Sequence, residues 1–170
     1  VDDIPESRGT LHAALVLSPV AHGTLIGIDR DQLLQQPGVV AVFTAADIPG
    51  ANECGPIVHD DRILADGEVV YLGQPVACVI ATDRSLALRA AALGPRVIQV
   101  QERPAILTAR EAHAQSHYVV APMHMQRGDA RSAMAQAPHR LRGTLSVGGQ
   151  EQFYLEGQIS YALPLEDGGM

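Results

Sequence analysis

The sequence has no lysine and no tryptophan, and its aromatic residues are four tyrosines and two phenylalanines. A chain without lysine cannot carry the lysine-containing glycine-rich loop that binds nucleotide phosphates. With so few aromatics, we expect a core of Leu, Val, Ile and Ala. The longest unbroken apolar run, Val76 to Ala81, has six residues, whereas a membrane-spanning helix needs about 20. No transmembrane helix is therefore predicted, and the acidic N-terminal residues Asp2, Asp3 and Glu6 do not indicate a secretory signal.

Cysteine and basic residues are also scarce. Cys54 and Cys78 are 24 residues apart and do not form a metal-binding pair, so a reducing cytoplasm is the expected compartment. Twelve basic residues against nineteen acidic ones give a net charge of −7, which argues against a nucleic-acid-binding surface. The Gly-x-Ser-x-Gly elbow of hydrolases and the glycine fingerprint of dinucleotide-binding folds are both missing.

The chain of 170 residues is long enough for one domain, or for one domain and part of a second. Its last four residues, Asp167 to Met170, give it the look of a piece of a longer polypeptide. Apolar runs and turn residues predict strands and helices in an irregular order, which favours the α+β class. The predicted strands cover 11–17, 23–29, 39–43, 68–71, 75–81, 97–101, 141–147 and 158–163, and the predicted helices cover 30–35, 84–93, 109 onward and 130–137. Asp83 and Asp129 are the predicted N-caps of the helices that follow them. The helix over 84–93 would present one apolar face and would be ended by Gly94 and Pro95; this face consists of Leu86, Leu88, Ala90, Ala91 and Leu93.

Two groups of histidines invite a functional interpretation. His113 and His117 are four residues apart, so one helical face could present both, with Glu111 nearby, to a metal. An exposed helix end explains them more simply, and we predict no metal site in this chain. His59 precedes Asp60 and Asp61 in a long loop and could form a proton-transfer pair. Ordinary turn chemistry explains the two aspartates equally well.

The most informative segment lies between Val147 and Gly157. Gly148 and Gly149 would let the backbone pass close to a bulky ligand or turn sharply. Gln150 follows them with an amide, and Phe153 and Tyr154 follow that. A glycine-allowed approach beside polar donors suits a large anionic or oxo ligand, while a hairpin turn is the alternative.

This segment resembles the Gly-Gly-Gln-Glu-His-Phe-Tyr-Leu-Glu stretch of the molybdenum-binding subunit of the xanthine dehydrogenase and aldehyde oxidase family, with Gln152 in the place of His. The resemblance extends over about 150 residues, and the spacing is most similar to the bacterial xanthine dehydrogenase branch. The other matching motifs are Gly9 to Ala13, Ser18 to His22, Pro37 to Val42, Thr44 to Gly50, Gly73 to Ala77 and Arg127 to Asp129. Two positions depart from the family's pattern: Val100 replaces an aromatic and Arg103 replaces a leucine.

The resemblance implies an α/β hammerhead domain over residues 8–118, followed by the first part of a molybdopterin-binding domain over 123–170. It implies an oxidoreductase that hydroxylates purines such as xanthine or hypoxanthine with oxygen from water. The electrons would pass through iron–sulfur clusters and FAD, on other domains or subunits, to NAD. Gln150 matches the family's glutamine that donates a hydrogen bond to an oxo ligand of molybdenum, and the resemblance implies that Gly149 would lie beside the cofactor.

The family's catalytic glutamate and most of its pterin contacts have no counterpart in this sequence. We therefore expect no catalytic residue here, and an isolated chain that binds no cofactor and is inactive. The expected partners are the rest of the molybdenum domain and the iron–sulfur and FAD subunit, and an unpaired C-terminal strand would favour a homo-oligomer. The alternative is a non-catalytic scaffold or interaction module with a hammerhead fold.

Overall fold

The structure, a computed structural model, describes residues 4–155 and 157–170. The described residues divide into two units, one over Glu6–Thr108 and the other over residues 109–170 with residues 4 and 5. None of the described helices is long and apolar enough to cross a membrane.

The first unit contains strands and short helices in the irregular order that the sequence predicts. Its six described strands match the six predicted between residues 11 and 101, with ends that differ by one or two residues. The strands are β1 His12–Leu17, β2 Gly23–Ile28, β3 Val39–Thr44, β4 Glu68–Val69, β5 Pro75–Ala81 and β6 Ile98–Glu102. The helices are α1 Arg30–Leu34, α2 Arg84–Ala91 and α3 Gly94–Val97, with a 3₁₀ turn at Ala45–Asp47.

The strands form two antiparallel sheets of three strands each, in the orders β1-β5-β3 and β4-β2-β6. In the first sheet, Cys78 of β5 lies between Leu15 of β1 and Phe43 of β3. In the second sheet, Thr24 of β2 lies between Glu68 of β4 and Gln101 of β6. The antiparallel sheets and short helices confirm the α+β class.

The core of this unit is aliphatic, as the shortage of aromatics predicts. Its largest fully buried side chains are Leu33, Val16, Val69, Val76, Val79 and Val97. Most of them are β-branched residues from strands of both sheets, and such residues pack well on a pleated surface. One cluster joins them, so the two sheets and the short helix α1 share a single core.

Helix α2 begins at the predicted cap and turns the predicted face toward the core, with the exception of one residue. The Asp83 carboxylate accepts hydrogen bonds from the backbone N–H groups of Ser85 (2.8 Å) and Leu86 (3.3 Å), as an N-cap does. Ala87 and Ala90 are buried, whereas Leu88 is 56% exposed. Leu86, Ala91 and Leu93 pack against the core as predicted. The prediction was wrong for Leu88 alone, because at 3.6 residues per turn this position lies away from the face that Ala87 and Ala90 define.

The sequence predicts that Gly94 and Pro95 end the helical region. In the structure they instead begin α3. A proline is tolerated in a first helical turn because its missing N–H would have no partner there. A Cβ on Gly94 would lie 2.8 Å from the carbonyl oxygen of Leu17. The glycine is therefore needed where α3 passes against the end of β1.

The second unit contains helices α4 Ala109–Ala114 and α5 Ala130–Gln136. The Asp129 carboxylate caps α5 by accepting from the N–H of Ser132 at 3.0 Å, as predicted. The strands predicted over 141–147 and 158–163 were wrong, because the described residues there form no strand. A strand requires a neighbour that satisfies its backbone groups, and no described residue of this unit provides one. None of its described residues is buried.

Candidate functional site

The glycine–glutamine segment, defined here as residues 147–155, runs without regular structure through the second unit. Neither Gly148 nor Gly149 has the positive φ that favours glycine, and a Cβ added at either would meet no atom within 4 Å. The hairpin interpretation of this glycine pair was therefore wrong. No described atom of this chain needs the space beside the two glycines, so that space is available to a group from outside.

Gln150 lies on the open surface of this segment. Its side chain is exposed, and within residues 4–155 and 157–170 it has no hydrogen-bond partner. An amide offers two N–H donors and one carbonyl acceptor and does not titrate. The structure thus places a free, neutral donor directly after two unobstructed glycines.

Two aromatic side chains follow the amide, and both are largely exposed. Phe153 is 92% exposed and Tyr154 is 66% exposed. Phe153 also has a φ of 54°, a left-handed conformation that is unfavourable for a bulky side chain. An exposed aromatic side chain on a strained backbone gains no packing from the described residues of this chain.

The two histidine hypotheses do not hold in the structure. Helix α4 ends at Ala114, and Ser116 then adopts a positive φ of 54°, so His117 is not on the same helical face as His113. His113 Nδ1 instead lies 2.8 Å from the hydroxyl oxygen of Tyr118. In the loop, His59 Nδ1 lies 2.8 Å from a carboxylate oxygen of Glu53, a residue that the sequence pattern did not single out. Within the described part of the chain, no three His, Cys, Asp or Glu side chains gather as metal ligands.

The two cysteines are free, and they differ in how exposed they are. Cys54 is exposed in the loop, and Cys78 is half-buried in β5. Burial raises the pKa of the Cys78 thiol, which makes it a poor nucleophile at neutral pH.

The positions that depart from the expected sequence pattern are accommodated in the first unit. Val100 packs against the core from β6, opposite β2. Arg103 directs a guanidinium N–H toward Glu68 of β4 at 3.5 Å, and its backbone N–H donates to the carbonyl of His22 at 3.0 Å. Sequence reasoning missed this meeting of His22, Glu68 and Arg103, since residues so far apart along the chain share no local pattern.

Two family models match the two parts of the chain. Residues 1–104 match the model described as aldehyde oxidase and xanthine dehydrogenase, a/b hammerhead domain. Residues 111–170 match the model described as molybdopterin cofactor-binding domain. The fold and the matches together define a hammerhead domain followed by the start of a molybdopterin-binding domain.

Relatives with solved structures or curated names agree with this class. The xanthine dehydrogenase of Oryza sativa subsp. japonica is 38% identical over 98% of this chain, and the xanthine dehydrogenase/oxidase of Gallus gallus is 34% identical over 99%. The aldehyde oxidoreductase of Desulfovibrio gigas superposes with a TM-score of 0.65 at 28% identity, over 78% of this chain and 16% of its own. The CO dehydrogenase of Oligotropha carboxidovorans gives a TM-score of 0.59 at 33% identity, over 66% of this chain and 14% of its own.

The chain belongs to the xanthine dehydrogenase and aldehyde oxidase family of molybdenum hydroxylases. It spans 12% of the length of the curated xanthine dehydrogenases named above. The described residues fit a molybdenum cofactor at one point, the open Gly148–Gly149 backbone with the free Gln150 amide, and not as a complete binding site.

Proposed function

We propose that this chain is the hammerhead domain and the opening part of the molybdopterin-binding domain of an enzyme that hydroxylates purines such as xanthine or hypoxanthine. Support comes from family membership and from curated relatives whose names are xanthine dehydrogenase. In this proposal the hammerhead domain covers residues 8–118 and the second domain covers 123–170. The full enzyme would be an NAD-linked oxidoreductase of purine catabolism.

The unpartnered amide of Gln150 is the observation that carries this proposal. When bound, the molybdenum cofactor supplies the two-electron oxidation and takes the added oxygen from water. Gln150 would donate a hydrogen bond to an oxo group of the cofactor, and Gly149 would let the cofactor approach the backbone. A neutral amide suits this task because it polarises the oxo group and adds no proton that titrates near neutral pH.

The remaining parts of the enzyme would lie outside this chain. We propose that the rest of the molybdenum domain is one partner, and that iron–sulfur clusters and FAD are carried by other domains or subunits. The two free cysteines are in keeping with a reducing cytoplasm. Self-association of the chain is a further proposal, although the described residues of the second unit form no strand edge, and light scattering on the purified chain would test it.

The isolated chain is proposed to be inactive, because one donor and two glycines provide too few contacts to offset the cost of immobilising a cofactor. Metal analysis and xanthine-dependent NADH formation test this on the purified chain. The expected result is no molybdenum and no NADH. Appreciable activity would contradict the proposal.

The role of Gln150 is tested in the complete enzyme that contains this chain. Replacing Gln150 with Ala should lower the rate of xanthine hydroxylation about 10-fold or more, as loss of a hydrogen bond around a metal centre typically does. Gln158→Ala is the matched control, since Gln158 is also an exposed glutamine but lies outside the glycine–glutamine segment. Equal rates for the two variants would contradict the assignment and would favour the scaffold alternative.

A further inference from the structure

His22 joins three separate segments of the first unit. The residue directly precedes β2, and its ring Nδ1 lies 2.7 Å from the carbonyl oxygen of Pro104, which follows β6. Its ring Nε2 lies 3.2 Å from a carboxylate oxygen of Glu68 on β4. The backbone adds one more connection, because the N–H of Arg103 donates to the carbonyl of His22 at 3.0 Å.

The geometry defines the protonation state that satisfies both contacts. A backbone carbonyl accepts hydrogen bonds and cannot donate them, and an ionised carboxylate is in the same position. Both ring nitrogens of His22 therefore face acceptors, so both must carry a proton for both bonds to form. A neutral ring carries only one N–H and loses one of the two bonds.

We infer that the imidazolium form of His22 ties the start of β2 to β4 and to the segment after β6, and that this tie weakens as the pH rises. Pro104 is four residues before the end of the first unit at Thr108. The tie therefore anchors the last segment of this unit at Pro104, and the protonation of His22 controls how stably that segment is anchored.

The charged groups that face the ring are Glu68 from β4 and Arg103 from the segment after β6. The bond to Pro104 raises the pKa of His22 most, the hydrogen bond to Glu68 raises it further, and the Arg103 guanidinium opposes this. Because the folded pKa lies above the ordinary value of about 6.5, the stabilisation is fully present below that value. It is lost as the pH rises through the folded pKa.

The test is a pH titration of the full chain by NMR with labelled histidine. The His22 midpoint should lie above about 6.5 in the unaltered chain and should fall toward that value in Glu68→Gln, which keeps the shape of the side chain but removes its charge. Glu6→Gln is the matched control, because it removes the carboxylate that lies 3.3 Å from a different histidine, His12. This variant should leave the His22 midpoint unchanged.

Hydrogen exchange of the Arg103 amide provides a second readout, since this N–H bonds to the His22 carbonyl. After correction for intrinsic exchange, its protection should fall as the pH rises through the His22 midpoint. A midpoint at or below the ordinary value, no response to Glu68→Gln, or constant protection of Arg103 would each overturn the inference.

Discussion

The two units of the chain differ in what their apolar residues touch. Residues 6–108 bury Leu33 and six or more valines and alanines from both sheets, whereas residues 109–155 and 157–170 contain no buried residue. Leu141 and Leu155 are 99% and 95% exposed, although they are as apolar as Leu33. The comparison shows that apolar sequence forms a packed core only where the same chain supplies the surface that covers it.

The difference also separates two kinds of glycine. Gly94 in the first unit is required by a backbone oxygen of this chain, and Gly149 in the second unit is required by nothing described in it. We propose that the open space beside Gly149 is used by a group from outside this chain. The site proposed around Gln150 depends on this difference between the two glycines.

The largest expected effect comes from truncating one leucine in each unit. Leu33→Ala should lower the free energy of unfolding by about 2–5 kcal/mol, because it removes a fully buried side chain and leaves a cavity. Leu155→Ala should change it by less than about 0.5 kcal/mol, as exposed substitutions do. Urea unfolding followed by circular dichroism measures both. Equal effects would mean that the two units share one cooperative core.

A second and smaller contrast is expected between Gly94→Ala and Gly149→Ala. The first variant should destabilise the chain by about 1–3 kcal/mol, because the new Cβ pushes against the carbonyl of Leu17. The second should leave stability unchanged in this chain. The same unfolding experiment checks both, and a Gly149→Ala variant that unfolds as easily as Gly94→Ala would contradict the account.

The smallest expected effect is on how stability depends on pH at the N-caps of helices α2 and α5. The Asp83 carboxylate accepts hydrogen bonds from Ser85 and from the Leu86 N–H, and these bonds lower the pKa of Asp83. The stabilisation that this cap gives to the folded chain is therefore present above the ordinary pKa of about 3.9. That stabilisation is lost as the pH falls through the lowered folded pKa. Asp83→Asn should therefore flatten the acid side of the stability curve. Asp129→Asn should have little effect on stability, since Asp129 caps a helix without buried residues. Thermal unfolding at a series of pH values measures the difference, and identical curves would contradict it.

Local sequence signals predicted those parts of the fold whose cause is local. The apolar run of β5, the cap at Asp83 and the cap at Asp129 each depend on neighbours within a few residues, and each was confirmed. The strand over residues 141–147 was wrong because an alternating pattern describes which face could be buried and does not supply the partner strand.

The candidate site was predicted from motif resemblance rather than from physical pattern. The roles of Gln150 and Gly149 at the cofactor stay predictions. The tie at His22 could not have been predicted, because His22 and Glu68 are brought together only by the pairing of β2 with β4 and β6. Such long-range contacts leave no periodic signal in the sequence.

An experimental structure of the complete enzyme with its cofactor tests the central claim most directly. The account predicts that the amide nitrogen of Gln150 lies within about 3.2 Å of an oxo ligand of molybdenum, with Gly149 against the cofactor. A Gln150 side chain that points into solvent, or lies on the far side of its domain from the metal, would contradict it.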